Sequence, residues 1–189
     1  MNCNQYKGEV IWISGLSAAG KSTLSVMLRD ELQSRGIPVF LLDGDLLRSG
    51  LCRDLGFSLS DREENIRRAA EVAKILSEAG TTVIAAFITP LEKMRRDLRA
   101  VLGGNGFIEI FLDCPLEVCE SRDPKGIYRQ AISGKLADLT GVSSPFEVPQ
   151  SADLVLPTGV LGYEETLSAV LRFLEGRFAN DSKAVRQSS

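Results

Sequence analysis

Residues 9–23 read EVIWISGLSAAGKST, and the fold turns on how this stretch is understood. EVIWIS is a short apolar run, rich in β-formers, that stops at a glycine. KSTLSVMLRDELQSRG follows with Leu24, Met27, Leu28 and Leu32 at helical spacing and closes at Gly36. Strand, loop, helix is the setting in which GxxxxGK[S/T], here Gly15, Gly20, Lys21 and Ser22, cradles phosphate. Backbone N–H groups of residues 16 to 22 wrap a polyphosphate, Lys21 reaches its β and γ oxygens, and the Ser22 hydroxyl is placed for Mg²⁺. A side chain at 15 or 20 would block the backbone's approach or forbid positive φ. The stretch predicts nucleoside triphosphate binding; alone, it leaves a kinase, a GTPase and a motor ATPase open.

Outward from the loop the chain alternates. IPVFLLDGD reads as a second buried strand, and SDREENIRRAAEVAKILSEAG as a long helix capped by Ser60 with Glu63. TTVIAAFI is a third strand, Pro90 opens a helix through LEKMRRDLRAVL, and GFIEIFLDC is a fourth strand. PLEVCESR begins another helix, ADLVLPT is the fifth strand, and GYEETLSAVLRFLEGRF is the last helix. Repeated β-then-α order demands crossovers, hence a parallel sheet covered on both faces. The expected fold is a three-layer αβα P-loop NTPase with a five-stranded parallel sheet. Residues 1–178 form one domain, residues 123–150 with little periodicity form a lid, and the tail 179–189 is expected to be disordered.

Composition narrows the classes. A formal charge of -3 over 189 residues leaves no basic footprint for a nucleic-acid polymer. No apolar run approaches the roughly 20 residues needed to span a bilayer, and MNCNQYKGE lacks the layout of a signal peptide, so a cytoplasmic address without membrane contact is expected. Cys3, Cys52, Cys114 and Cys119 form no CxxC pair and are read as reduced thiols in or near the core. With no histidine in the chain, a Ser-His-Asp or Cys-His nucleophile is excluded, and proton transfer falls to carboxylates or water.

LLDGD ends the second strand, which sets Asp43 and Asp45 at the sheet's carboxyl edge, where doubly wound sheets bind ligands. Two residues apart, they share a face if the strand continues. One then orients Mg²⁺ through water while the other accepts a hydroxyl proton. Asp-Gly alone is a turn signal. GTPases and motor ATPases usually take this acid from a later strand, and no NKxD motif for guanine is present, so a small-molecule kinase is the better reading. Beyond the carboxylates come Arg48, Phe57, Arg62 and Asn65, the last two sharing a helix face at i, i+3. Arginines that clamp an anion and a ring that stacks on a base describe a nucleotide-like acceptor. Phe57 alone fits core packing equally well, and Arg67 and Arg68 read as a solvated helix face.

In GLSAAGKST, LDGDLLRSGLCRDLGFSLSDREENIRR, FITP, PLEVCESRDPKGIY and TGVSSPFE, in this order and spacing, the chain resembles the adenosine 5′-phosphosulfate (APS) kinases. The resemblance covers most of residues 8 to 178. It implies transfer of the γ-phosphate of MgATP to the 3′-hydroxyl of APS, homodimers, and ATP sulfurylase as a partner. It implies a donor site of Gly15, Leu16, Ser17, Ala18, Ala19, Gly20, Lys21, Ser22 and Thr23, with Arg122 and Lys125 from the lid. Asp45 becomes the base or metal-orienting carboxylate with Asp43 and Lys21 in support, and Mg²⁺ falls to Ser22 and, through water, Asp43. Arg48, Phe57, Arg62, Asn65, Phe87, Ile88, Thr89 and Leu139 become acceptor contacts, and Thr89 a position for enzyme-borne phosphate. The chain departs from the usual family pattern at Leu46, Ser49, Cys52, Thr89, Ile132 and Leu139. At Leu139 an aromatic of the adenine clamp is expected. These departures leave a related kinase with another nucleotide-like acceptor as the rival reading, and a non-catalytic nucleotide-binding partner as the reading from a different class.

Overall fold

Alternate residues of one central strand feed two separate cores. In the computed structural model, which describes residues 7–103 and 106–187, strand β1 (Val10–Ser14) sends Ile11 and Ile13 to one side and Val10 and Trp12 to the other. All five of its residues are buried, as period-2 alternation requires of a strand covered on both faces.

The first core packs helix α1 (Lys21–Ser34), through Leu24, Leu28 and Leu32, and helix α7 (Tyr163–Gln187), through Val170 and Leu174, against the sheet. The second packs helix α3 (Leu59–Glu78), through Ile66, Ala69, Ala70 and Ala73, and helix α4 (Glu92–Leu102), through Met94, Leu98 and Leu102. Strands β2 (Val39–Asp43), β3 (Thr82–Ala86), β4 (Phe107–Leu112) and β5 (Leu154–Leu156) complete the sheet in the order β2-β3-β1-β4-β5, every pair parallel. The expected three-layer αβα architecture is the one found.

Several local expectations change. Strand β2 is an edge strand: only Leu42 is buried and Phe40 is 40 % exposed, because the chain order sends β2 outside β3. It also stops at Asp43, and a six-residue helix α2 (Gly44–Ser49) begins at once, so Asp43 and Asp45 do not lie along one extended strand. Asp43 is instead the N-cap, its Oδ1 accepting from Leu46 N at 2.8 Å. The α3 cap is Ser58, which accepts from Asp61 N and donates to the Asp61 carboxylate, rather than Ser60 with Glu63. Helix α4 starts at Glu92, two residues after Pro90.

The lid region carries two helices, α5 (Leu116–Arg122) just before it and α6 (Ile127–Ile132) within it. The tail expected to be disordered continues α7 to Gln187, since no proline or glycine after Gly176 interrupts propagation; residues 188 and 189 lie outside the described residues. Cys52, Cys114 and Cys119 are buried free thiols, and burial pushes Cys119 up to about 12; Cys3 lies outside the described residues. Among the described residues, no helix is long and apolar enough to cross a membrane.

Candidate active site

Three strands deliver the site at one sheet edge: the loop of residues 15–20 follows β1, Asp43 ends β2, and residues 87–89 follow β3. The loop holds three left-handed residues, Gly15 (φ 145°), Ala18 (φ 61°) and Gly20 (φ 104°). Left-handed residues of this kind let a loop turn backbone N–H groups toward an anion. A Cβ on Gly15 would stand 2.8 Å from the Leu112 carbonyl oxygen, so glycine is required there by space as well as by φ. Leu16 and Ala19 face the core, and they belong to the loop through their backbone.

Two hydroxyls outside the motif hold this loop in shape. Tyr128 donates to the Ser17 carbonyl at 3.0 Å from α6, and Thr158 donates to the Ala19 carbonyl at 3.0 Å from beyond β5. Burial, then the neighbouring Cys119, pushes the Tyr128 phenol above its ordinary range and keeps it a donor. Neither residue is singled out by the sequence, because each reaches the loop across more than 100 residues of chain.

Lys21 donates to the carbonyls of Gly15 (2.9 Å) and Leu16 (2.6 Å), and burial lowers its ammonium to about 8. A phosphate would replace these two carbonyls with a full negative charge. Ser22 and Thr23 are exposed in the first turn of α1, on the same cavity as Asp43 and Asp45. Among the described residues, no group of three or more His, Cys, Asp or Glu side chains could cage a metal. One hydroxyl and nearby carboxylates are oxygen donors that fill part of a shell, and Mg²⁺ is usually held in this way together with phosphate oxygens and water.

These residues line a cavity of about 730 Å³ that is also lined by the expected acceptor set: Arg48, Phe57, Arg62, Asn65, Phe87, Ile88, Thr89 and Leu139. Two guanidinium groups lie near the half-exposed Phe57 ring, with the Arg48 Cζ 4.5 Å and the Arg62 Cζ 5.6 Å from its centroid. Arg48 donates to the carbonyls of Leu55 and Gly56, and Arg62 to those of Phe57 and Asp138. Among the described residues neither forms an ion pair with a carboxylate, and burial followed by the charge of Arg48 lowers Arg62. Asn65 is 4 % exposed and its Oδ1 has no hydrogen-bond partner among the described residues.

The segment expected to form a lid lines part of the same cavity, from Asp123 to Leu139. Lys125 reaches Asp45, Arg122 donates to the Thr158 carbonyl at 2.7 Å, and Arg62 bonds the carbonyl of Asp138, itself left-handed at φ 57°. Leu139 is 4 % exposed and packs in the first core, while Ile132 is 70 % exposed. Thr89 is not open to solvent: it is 1 % exposed, and its Oγ1 accepts from Trp12 Nε1 at 2.8 Å. A second cavity of about 220 Å³ adjoins Gly20 and is lined by Arg122, Thr158, Gly162 and Tyr163, none of the last three anticipated from sequence.

The pattern of adenylylsulphate kinase matches residues 7–157. The adenylyl-sulfate kinase of Geotalea uraniireducens is 48 % identical over 180 residues, covering 95 % of this chain and 86 % of that protein. That of Shewanella amazonensis is 49 % identical over 169 residues, covering 89 % and 85 %. Among solved structures, the Mycobacterium tuberculosis APS kinase in complex with AMPPNP and APS is 41 % identical, with a TM-score of 0.83 and coverage of 89 % of this chain and 98 % of that one. Shikimate kinase from Aquifex aeolicus, at 20 % identity and a TM-score of 0.52, shares the fold. Matched over residues 7–157 by the family pattern and over 95 % of its length by a relative 48 % identical to it, this chain belongs to the adenylylsulphate kinase family.

Proposed function

We propose that the protein transfers the γ-phosphate of MgATP to the 3′-hydroxyl of APS, giving 3′-phosphoadenosine 5′-phosphosulfate and ADP. The observation that carries this reading is the pair of arginines beside Phe57, neither ion-paired to a carboxylate among the described residues, lining the same cavity as the phosphate loop. An anionic, aromatic acceptor satisfies both features: its charge compensates Arg48 and Arg62, and its base stacks on Phe57. Asn65 Oδ1 takes a donor from the same ligand, which removes the penalty of an unpaired buried acceptor.

The loop holds the β and γ phosphates, Lys21 exchanging its two carbonyl partners for phosphate oxygens. The smaller cavity beside Gly20 seats the donor base between Arg122 and Tyr163. Asp45 accepts the proton of the 3′-hydroxyl as that oxygen bonds to the γ-phosphorus and the bridge to the β-phosphate breaks. For this, Asp45 must exchange Lys125 for the acceptor, and the freed ammonium turns to the transferring phosphate. Bound Mg²⁺, with Ser22 as ligand and Asp43 acting through water, supplies charge neutralisation on the phosphates. Thr89 serves as wall and not as a phosphate carrier, since its hydroxyl is sealed against Trp12.

The protein works in the cytoplasm as a homodimer, on APS supplied by ATP sulfurylase. A related protein from Thiobacillus denitrificans is a hexameric APS kinase; it is 32 % identical with a TM-score of 0.68, and this chain spans 29 % of its length. The test is to follow labelled γ-phosphate from ATP. Label at the 3′ position of APS supports the reading, and label released only as inorganic phosphate removes it.

A further inference from the structure

Arg95 does not line the large cavity, yet it is 1 % exposed and bonded to the cavity's wall. Its Nη2 donates to the Thr89 carbonyl at 3.0 Å and also to the Glu147 carbonyl, at the far end of the lid region. Nη1 donates to the Glu92 carboxylate at 3.0 Å, and Nε lies 3.7 Å from Glu109 Oε1. Burial pushes the Glu109 carboxyl up, against the pull of Arg99 and Arg95.

Thr89 needs holding. It is a β-branched residue at φ 48°, a conformation such residues rarely adopt and one that clusters where a site is over-determined by its surroundings. Its hydroxyl is fixed by Trp12, whose ring stacks on Phe87 with centroids 4.9 Å apart. Its carbonyl is fixed by Arg95. The lid root is tied to the same turn: Glu147 N donates to the Pro90 carbonyl at 2.8 Å, and the Glu147 carboxylate accepts from Glu92 N.

We propose that Arg95 is a positioning residue for the acceptor, holding the turn of residues 87–90 and the lid root at 147 in one geometry through a single guanidinium nitrogen. The planar guanidinium donates to two carbonyls and one carboxylate while holding its charge beside a second carboxylate; a lysine ammonium would lose part of this set. Because Phe87, Ile88 and Thr89 face the acceptor, the effect falls on APS rather than on ATP, and the inference rests on the function proposed above.

The test is to measure KM for APS and for MgATP separately in Arg95→Met and Arg95→Lys. For Arg95→Met, KM for APS is expected to rise about tenfold or more while KM for MgATP stays within about twofold, with Arg95→Lys recovering part of the loss. If Arg95→Met does not fold because Glu109 loses a counter-charge, Arg95→Met/Glu109→Gln removes that carboxylate and carries the same comparison. A folded variant with unchanged KM for APS, or with both KM values rising together, overturns the inference. Wild-type protein that does not phosphorylate APS overturns the functional reading itself, and the inference with it.

Discussion

Lys125 Nζ lies 2.8 Å from Asp45 Oδ2, so a lid ammonium sits on the carboxylate assigned to proton transfer. Both side chains are mostly exposed, and such a pair adds little to stability. Lys125→Ala is expected to leave the melting temperature unchanged and to lower kcat, since the lysine acts on the phosphate once released. Asp45→Asn is expected to keep nucleotide affinity and to lose about 10²- to 10⁴-fold in kcat. Undiminished kcat in Asp45→Asn excludes that carboxylate as the base.

Lys21 gives a pH signature. Its ammonium is lowered by burial from 10.5 to about 8, so between these values the unfolded chain holds a proton that the folded chain does not. Stability from this group therefore rises with pH across that window, and below it the buried charge is penalised in full. A triphosphate alongside restores the preference for the charged form. MgATP binding at about pH 8.5 is expected to take up as much as about three quarters of a proton, measured by calorimetry in buffers of different ionisation enthalpy. Equal uptake by Lys21→Met contradicts the assignment.

Gly15→Ala places a methyl 2.8 Å from the Leu112 carbonyl oxygen at φ 145°. Strained backbone of this kind costs about 1 to 3 kcal/mol. The expected result is a lower melting temperature that MgATP no longer raises. A variant still stabilised by MgATP shows that the loop tolerates the change.

Leu139→Phe sets two effects against each other. A ring at this position gains base stacking, worth about 1 to 3 kcal/mol on aromatic platforms, and overpacks a side chain already 4 % exposed, at a similar cost. The expected outcome is a lower KM for APS together with a lower melting temperature. If KM for APS rises while KM for MgATP is unchanged, Leu139 is a better fit to the acceptor than the ring.

Much of this was legible in the sequence, for identifiable reasons. The phosphate loop was, because its glycines, Lys21 and Ser22 are consecutive and their setting between β1 and α1 is local. Arg62 and Asn65 were, because helical spacing places both on one face of α3. Asp45 lines the cavity from α2 and not from an extended strand, since a six-residue helix leaves no periodicity to detect. Trp12, Arg95, Tyr128 and Thr158 were missed because each acts across 52 to 139 residues of chain, through contacts that exist only once the sheet is assembled. Thr89, expected as an acceptor contact and a position for enzyme-borne phosphate, lines the cavity, but its left-handed backbone and sealed hydroxyl belong to tertiary structure alone.

The most direct test of the account is acceptor-dependent ADP formation, comparing kcat/KM for APS with AMP, shikimate and gluconate under saturating MgATP. The account predicts that APS exceeds every other acceptor by orders of magnitude and that ADP forms in step with 3′-phosphorylated product. ADP formation that is indifferent to APS, or faster with another acceptor, contradicts it.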